Sequence, residues 1–271
     1  MRSRVFKNHF FLSALLFTLG GGVPVVNATI VQFQTVMGNF EVNLFDGTTP
    51  ITVANFLDYV DEGAYADTVI HRSVDNFVIQ GGGFIYEDSF PPEAIVKKDS
   101  IDNEPVLSNR RGTIAMAKVG GDPHSATNQW FINLSNNSGN LDAQNGGFTV
   151  FGQVIGDGMN VVDAIADLPR FNAGGAFATL PLRDYTSQNA ADGVDITDEH
   201  LVIVTDILVI NAAVDTASDL DPALNTSAEP DPGNDSDGGD SGGGSLDLFN
   251  LLLLSLLACS LVVRLARAGR Q

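Results

Sequence analysis

Three side chains that lie close together in the sequence could form a functional site: Arg72, Phe77 and Gln80. They belong to residues 69–84, where two short apolar, β-prone runs flank a turn-like segment, so the pattern predicts a hairpin that brings the three together. Arginine supplies a permanent cation with donors in a rigid fork, phenylalanine an apolar surface and glutamine an amide. Such a set has no nucleophile and no acid/base pair.

The remaining sequence argues against several classes of protein. The 33 acidic residues outnumber the 14 basic ones, and a net charge of -19 argues against a nucleic-acid partner, which would need a basic surface. The only cysteine, Cys259, lies in the C-terminal apolar run, and His71, His124 and His200 do not have metal-ligand spacing. The chain contains neither a Gly-x-Ser-x-Gly nucleophile motif nor a phosphate-binding loop. We therefore expect no metal and no cofactor.

The two ends of the chain differ in composition from its middle. Residues 1–28 have a basic start, an apolar run and small residues at the end, which predicts a signal peptide; the alternative is a buried first helix. Residues 214–245 lack aromatics and are rich in Asp, Pro, Ser and Gly, which predicts a disordered acidic linker. Residues 246–271 form an apolar run followed by arginines, which indicates either a membrane anchor or a sorting signal that is removed.

Residues 29–213 predict one mainly β domain. A hairpin is expected over residues 29–45 around Gly38 and Asn39, and amphipathic helices over residues 51–60 and 159–168. Further strands are expected at 111–118, 129–134, 148–154 and 201–210. Residues 86–109 and the stretch before the last strand are expected to be loops, and the glycines at 81–83 predict a bulge or a close ligand approach. Seven or eight strands with two helices favour a barrel or sandwich.

Five motifs in the middle of the chain resemble the cyclophilin-type peptidyl-prolyl isomerases, in family order and at family spacing. They are His71-Arg72, the run 77–83 (FVIQGGG), the run 112–117 (GTIAMA), the run 128–133 (NQWFIN) and the run 148–152 (FTVFG). The resemblance covers residues 29–213 and is greatest to bacterial secreted members. It implies a closed eight-stranded antiparallel barrel capped by two α-helices, and a rotamase that needs no cofactor.

The resemblance also implies roles for individual residues. It assigns the catalytic set to Arg72, Phe77, Gln80 and Phe131. It assigns substrate contacts to Val78, Met116, Ala117, Gln129, Leu141 and Phe148. His71 is expected to be structural. Many eukaryotic members carry a tryptophan where this chain has Asn140 and a histidine where it has Phe148, so we expect weak cyclosporin binding.

The expected partners follow from the same resemblance. A secreted isomerase would act as a monomer on proline-containing polypeptides in the periplasm or cell envelope of a Gram-negative bacterium, after cleavage by signal peptidase. The C-terminal tail resembles glycine-glycine sorting signals, which implies a rhomboid-type protease; a retained tail would instead hold the protein at the membrane. The alternative function is a non-catalytic proline-peptide-binding module or chaperone, against which the presence of both Arg72 and Gln80 speaks.

Overall fold

The structure is a computed structural model that describes residues 29–212 and 220–227. The predicted signal peptide, residues 1–28, and the predicted anchor or sorting signal, residues 246–271, lie outside the described residues. So does most of the predicted linker, residues 214–245, of which only the stretch 220–227 is described.

Strands dominate the described part of the chain. In order, they are β1 Ile30–Thr35, β2 Gly38–Leu44, β3 Thr68–Val69, β4 Arg72–Val74, β5 Val78–Gly81, β6 Phe84–Ile85, β7 Glu93–Ala94, β8 Thr113–Met116, β9 Trp130–Asn133, β10 Val150–Ile155, β11 Arg170–Phe171, β12 Leu180–Pro181 and β13 Ile203–Asn211. The helices are α1 Pro50–Asp61, α2 Ser138–Leu141, α3 Gly158–Ala166 and α4 Ser187–Ala191. The domain is therefore mainly β, as the sequence predicts.

Eleven of these strands form one antiparallel sheet that curls around a core. Its order is β4-β5-β9-β8-β10-β2-β1-β13-β3-β6-β7, and β11 pairs with β12 separately. The prediction of a closed barrel of eight strands is inexact, because the sheet has eleven strands and its two end strands, β4 and β7, do not pair. Two-residue strands such as β6 and β7 are too short to show the alternation from which a strand is recognised in sequence.

The first hairpin forms where the alternating apolar residues predict it. Phe33 and Phe40 face each other across β1 and β2, and their rings stack at 4.7 Å. The chain turns one step earlier than expected, at residues 36–37, and Gly38 already pairs with Thr35. Gly38 has φ +121°, a value that glycine adopts at little cost, which explains a glycine at this strand start.

Both predicted helices are present and bury the predicted faces. Proline at the first position of α1 fixes a helical φ, and Phe56 packs at 5.1 Å from Phe151 in the core. In α3, Val162 and Ile165 are fully buried. The two other helices, α2 and α4, have four and five residues, which is too short for helical periodicity to predict them.

The apolar side chains form three clusters. The inner core lies inside the curled sheet and includes Trp130, Phe33 and Phe56. A second cluster, here called the pocket cluster, lies on the opposite face of β5, β9 and β8 and consists of Phe45, Val78, Leu107, Ala115, Phe131, Leu141, Phe148 and Val150. A third cluster joins β3 and β6 to residues 171–203, a stretch predicted as mostly loop that folds over the sheet with Phe177 and Tyr185 buried. Each large buried side chain contributes about 1.5–3 kcal/mol.

Candidate active site

The hairpin of β4 and β5 presents two of the predicted catalytic residues side by side. Arg72 lies directly opposite Gln80 in the antiparallel register, and residues 75–77 connect the two strands. The turn brings Phe77 to the end of the hairpin, where its amide donates to the carbonyl of Val74 at 3.1 Å. The predicted strand, loop and strand arrangement is thus confirmed.

A row of paired residues continues from this hairpin onto the neighbouring strands. Gln80 pairs with Phe131 on β9, Phe131 with Ala115 on β8, and Ala115 with Val150 on β10. Residues directly opposite each other in a sheet project to the same face. Arg72, Gln80, Phe131, Ala115 and Val150 therefore lie in one row across five strands, with the cation at one end and apolar side chains at the other.

The guanidinium of Arg72 is held in partly buried surroundings. Within the described residues it forms no salt bridge, and Nη1 donates to Oε1 of Gln80 at 3.4 Å, which is long for a hydrogen bond. Burial lowers the pKa of Arg72 to about 10, so the group remains charged at neutral pH. Because its contact with Gln80 is weak, this charged and partly desolvated donor can form hydrogen bonds with a ligand at small cost.

Gln80 links Arg72 to Gln129. The Nε2 of Gln80 donates to Oε1 of Gln129 at 2.8 Å, so its Oε1 is free to face the arginine. The backbone of Gly83 lies against the Gln129 side chain, since a Cβ at Gly83 would come within 2.6 Å of the Gln129 Nε2. The glutamine pair thus fixes which amide atom points toward Arg72.

Beside this polar row, aromatic and aliphatic side chains form the walls of an apolar pocket. Phe131 and Phe148 meet edge to face, with ring centroids 5.8 Å apart and planes at 73°. Leu141 and Val78 are buried in the same cluster, and Phe77 and Ala117 pack against it while remaining partly exposed. Six of the predicted site residues therefore share one apolar cluster.

Met116 is the predicted site residue that the structure does not bring to this pocket. It pairs with Trp130 on β9 and is fully buried in the inner core. Successive strand residues project to opposite faces, so Ala115 and Ala117 reach the pocket side of β8 and Met116 the other. Its role in this structure is to fill the core beneath the site.

Lys118 belongs to the site although sequence reasoning did not single it out. Its Nζ lies 4.9 Å from the centre of the Phe148 ring and donates to the carbonyls of Asn145 and Gly147 at 2.8 and 2.6 Å. Burial lowers the pKa of Lys118 to about 8, which the charge of Asp122 partly offsets. The signal in the sequence was a lysine directly after the Ala117 position of a matched motif.

A buried polar network supports the pocket walls from behind. Asp142 accepts from the backbone N–H and the side-chain amide of Asn109 at 2.7 and 3.1 Å, and Asn109 also donates to the carbonyl of Phe148 at 3.0 Å. Asn133 donates to Asn109 at 3.2 Å, and Asn137 bridges Asn133 to the Phe77 carbonyl at 2.7 and 2.9 Å. Paired buried amides of this kind rigidify the parts they join. The network thus connects pocket residues that are distant in sequence, such as Phe77 and Phe148.

The glycine run next to Gln80 makes room for the protein's own side chains. A Cβ at Gly82 would lie 2.6 Å from Trp130 Nε1, and one at Gly81 would lie 2.9 Å from Ile70 Cδ1. The glycines thus accommodate the Trp130 indole and Ile70, and the close approach of a ligand stays a prediction.

His71 is structural, as expected. It is 2% exposed, and its ring packs on Phe84 at 4.9 Å. Burial, with a smaller contribution from the neighbouring Arg72 charge, lowers the pKa of His71 to about 3. The imidazole is therefore neutral at physiological pH and leaves Arg72 as the cation of this hairpin.

The site thus places a charged guanidinium beside an apolar pocket, and none of the five residues in the row is a nucleophile. The family model of cyclophilin-type peptidyl-prolyl cis-trans isomerases matches residues 30–185. A peptidyl-prolyl cis-trans isomerase of Acinetobacter baylyi is 41% identical over 162 residues, covering 58% of this chain and 84% of that protein. Peptidyl-prolyl cis-trans isomerase B of Escherichia coli is 44% identical over 142 residues, covering 50% of this chain and 83% of that protein.

Among solved structures, a cyclophilin-type isomerase of Cryptosporidium parvum matches with a TM-score of 0.48 and 22% identity, covering 68% of this chain and 98% of that one. The chain belongs to the cyclophilin-type peptidyl-prolyl cis-trans isomerase family. It is an enzyme that interconverts the cis and trans forms of peptide bonds before proline, and its partners are proline-containing peptides.

Two features are absent from residues 29–212 and 220–227. No cluster of three or more His, Cys, Asp or Glu side chains there is arranged to hold a metal ion. No helix in these ranges has the length and apolar character needed to cross a bilayer. The predicted C-terminal apolar run lies outside both ranges.

Proposed function

We propose that this isomerase twists prolyl bonds of exported proteins by directing the Arg72 guanidinium at the prolyl nitrogen while the pocket cluster holds the pyrrolidine ring. The observation that carries this proposal is the row in which Arg72, Gln80 and Phe131 stand directly opposite one another on adjacent strands. In that arrangement the cation can contact the prolyl nitrogen while the apolar pocket holds the pyrrolidine ring.

The reaction needs neither a base nor a nucleophile. Rotation about an amide bond faces a barrier of about 18–20 kcal/mol because twisting destroys resonance, and prolyl exchange takes tens to hundreds of seconds without a catalyst. In the twisted amide the nitrogen regains a localised lone pair. A guanidinium donor fixed beside that nitrogen binds the twisted state more tightly than either planar isomer and so lowers the barrier.

The apolar walls restrict the ring while the acyl side rotates. Phe131, Phe148 and Leu141 would surround the pyrrolidine, whose nitrogen then projects along the row toward Arg72. When the ring is held, the acyl side must rotate relative to it, because the whole substrate can no longer rotate as one body. Gln80 keeps the guanidinium aligned through its contact with Nη1.

The pocket assignment is tested by an isomerisation assay on the full chain with a proline-containing peptide. We expect Phe131→Ala to lower kcat/KM by at least tenfold, because one wall of the pocket is lost. Phe171→Ala is the matched control, since Phe171 packs in the third cluster and not in the pocket cluster, and it should stay within twofold of the wild type. Equal losses in the two variants, or none in Phe131→Ala, would rule out this pocket.

The cellular location belongs to the same proposal. Residues 1–28 have the pattern of a signal peptide, so signal peptidase would release a protein of the bacterial secreted type into the periplasm or cell envelope, where it acts on exported polypeptides. Fractionation of cells that express the full chain tests this location. Recovery of unprocessed protein in the cytoplasm contradicts it.

The C-terminal tail would then decide how the enzyme is held. The run of glycines before residue 246, the apolar stretch and the terminal arginines support recognition by a rhomboid-type sorting protease, with membrane anchoring as the outcome if the tail is kept. Mass spectrometry of the mature protein distinguishes these fates: an end near residues 242–245 means processing, and an end at Gln271 means anchoring.

A further inference from the structure

Residues 220–227, here called the clamp segment, lie along the domain although the sequence predicts them within a disordered linker. The backbone N–H of Ser108 donates to the carbonyl of Ala223, and that of Asn225 donates to the carbonyl of Val106, both at 2.8 Å. Leu224 thereby faces Leu107 in an antiparallel bridge. Backbone pairing of this kind does not depend on apolar composition, so the composition of the segment gave no sign of it.

The stretch to which the clamp segment pairs belongs to the support of the pocket. Leu107 is buried in the pocket cluster, and the Ser108 hydroxyl donates to the Asp142 carboxylate at 2.6 Å. The next residue, Asn109, holds both Asp142 and the Phe148 carbonyl. One side of residues 106–109 therefore binds the clamp segment and the other side binds the loop of residues 137–148, here called the wall loop.

The clamp segment also touches the wall loop directly. Nδ2 of Asn225 donates to the carbonyl of Asp142 at 2.8 Å, and a Cβ at Gly147 would lie 3.2 Å from the same nitrogen. Asn225 thus reaches the residues that follow Leu141 and precede Phe148. In addition, Leu220 packs against the pocket cluster itself.

We propose that residues 220–227 are a built-in clamp that holds the wall loop in place, with Asn225 as a positioning residue for Leu141 and Phe148. This inference rests on the proposed proline pocket, to which those two side chains belong. None of the contacts described above joins the clamp to Arg72 or Gln80, so it governs how well the ring is held. Removing it should raise KM and leave the turnover of the bound substrate nearly unchanged.

The test uses the full chain with Asn225→Asp, which keeps the side-chain oxygen that accepts from the Ser227 N–H at 2.8 Å but loses the donor to Asp142. We expect KM for a proline peptide to rise about threefold to tenfold with kcat within twofold, as for the loss of one hydrogen bond. Asn225→Ala should act in the same direction. Thr226→Ala, an exposed neighbour, is the matched control and should match the wild type.

A second readout follows the wall loop itself by NMR. The Leu141 methyl signals and the Phe148 amide signal should shift in Asn225→Asp and stay in place in Thr226→Ala. Unchanged signals, or shifted signals with an unchanged KM, would overturn the clamp. If Phe131→Ala retains full activity while Asn225→Asp still shifts Leu141 and Phe148, the pocket assignment fails and the contact of the clamp with the wall loop stands.

Discussion

Arg72 stands directly opposite Gln80 on β4 and β5, and its Nη1 lies 3.4 Å from Gln80 Oε1. The amide is itself held by Gln129 at 2.8 Å, so a fixed acceptor orients a guanidinium that no described carboxylate neutralises. A guanidinium that donates to a prolyl nitrogen must be oriented, but it must not form a salt bridge, because a carboxylate would compete with the substrate for its N–H groups.

Removing the Gln80 side chain should therefore reduce catalysis without abolishing it. We expect Gln80→Ala to lower kcat about tenfold, because Arg72 remains charged but loses its alignment. Gln129→Ala, one step further away, should lower it less. A kcat for Gln80→Ala equal to that of the wild type in a stopped-flow isomerisation assay would show that the amide does not position Arg72.

Lys118 predicts a pH dependence above neutrality. Burial lowers the pKa of Lys118 to about 8, so most of the group loses its charge by pH 9, whereas Arg72, with a pKa of about 10, stays mainly protonated. The neutral amine no longer attracts the Phe148 ring, an attraction worth about 0.5–1 kcal/mol. We expect kcat/KM to fall roughly twofold to fivefold between pH 7 and 9, an amount derived from that attraction.

Two substitutions separate this effect from other titrations. The pH profile of Lys118→Met should be flat over the same range. That of Lys97→Met, which changes an exposed lysine, should follow the wild type. A wild-type-like decline in Lys118→Met would assign the pH effect to another group.

Gly82 should tolerate no side chain. Its φ of +74° and the Trp130 Nε1 atom 2.6 Å from a built Cβ combine backbone strain with a clash in the core. Gly121 has nearly the same φ, +79°, but open space around it, so Gly121→Ala measures the strain alone. In urea unfolding we expect Gly121→Ala to cost about 1–2 kcal/mol and Gly82→Ala to cost a further 1–3 kcal/mol. Equal losses of unfolding free energy in the two variants would mean that the Trp130 indole moves aside without cost.

The buried His71 predicts a loss of stability in acid. Its folded pKa of about 3 lies below the ordinary value of 6.5, so the unfolded chain binds the proton more tightly than the folded one between these values. Stability thus decreases as pH falls from about 6.5 to 3, by up to about 1.4 kcal/mol per pH unit from this group. Urea unfolding of His71→Gln should show a shallower slope in this window, and an identical slope would contradict the assignment.

Much of the fold could be predicted because its signals are local. The alternation in β1 and β2 and the apolar faces of α1 and α3 are readable from short windows, and they form as expected. The two-residue strands and the packing of residues 171–203 depend on contacts distant in sequence, which no local pattern reveals.

Part of the candidate site could be predicted, because the order of the family motifs along the chain implies which strands pair and which residues then face each other. Arg72, Gln80 and Phe131 meet because β4, β5 and β9 pair, as the family pattern implies. Met116 was misplaced because β8 is buried on both faces, so its apolar run gives no alternation by which to assign a side. Lys118 directly follows a matched motif, but its contacts with loop carbonyls, like that of Asn225, depend on the fold and could not be predicted from the sequence.

The most direct test of the account is the isomerisation rate of the full chain with Arg72→Ala. Loss of a single fixed donor to the twisted amide should lower kcat/KM about 10²–10³-fold. Arg111→Ala is the matched control, because Arg111 forms an exposed ion pair with Asp163 at 2.6 Å, and it should remain within twofold of the wild type. An Arg72→Ala enzyme that is folded and as active as the Arg111→Ala enzyme would contradict guanidinium catalysis by this site.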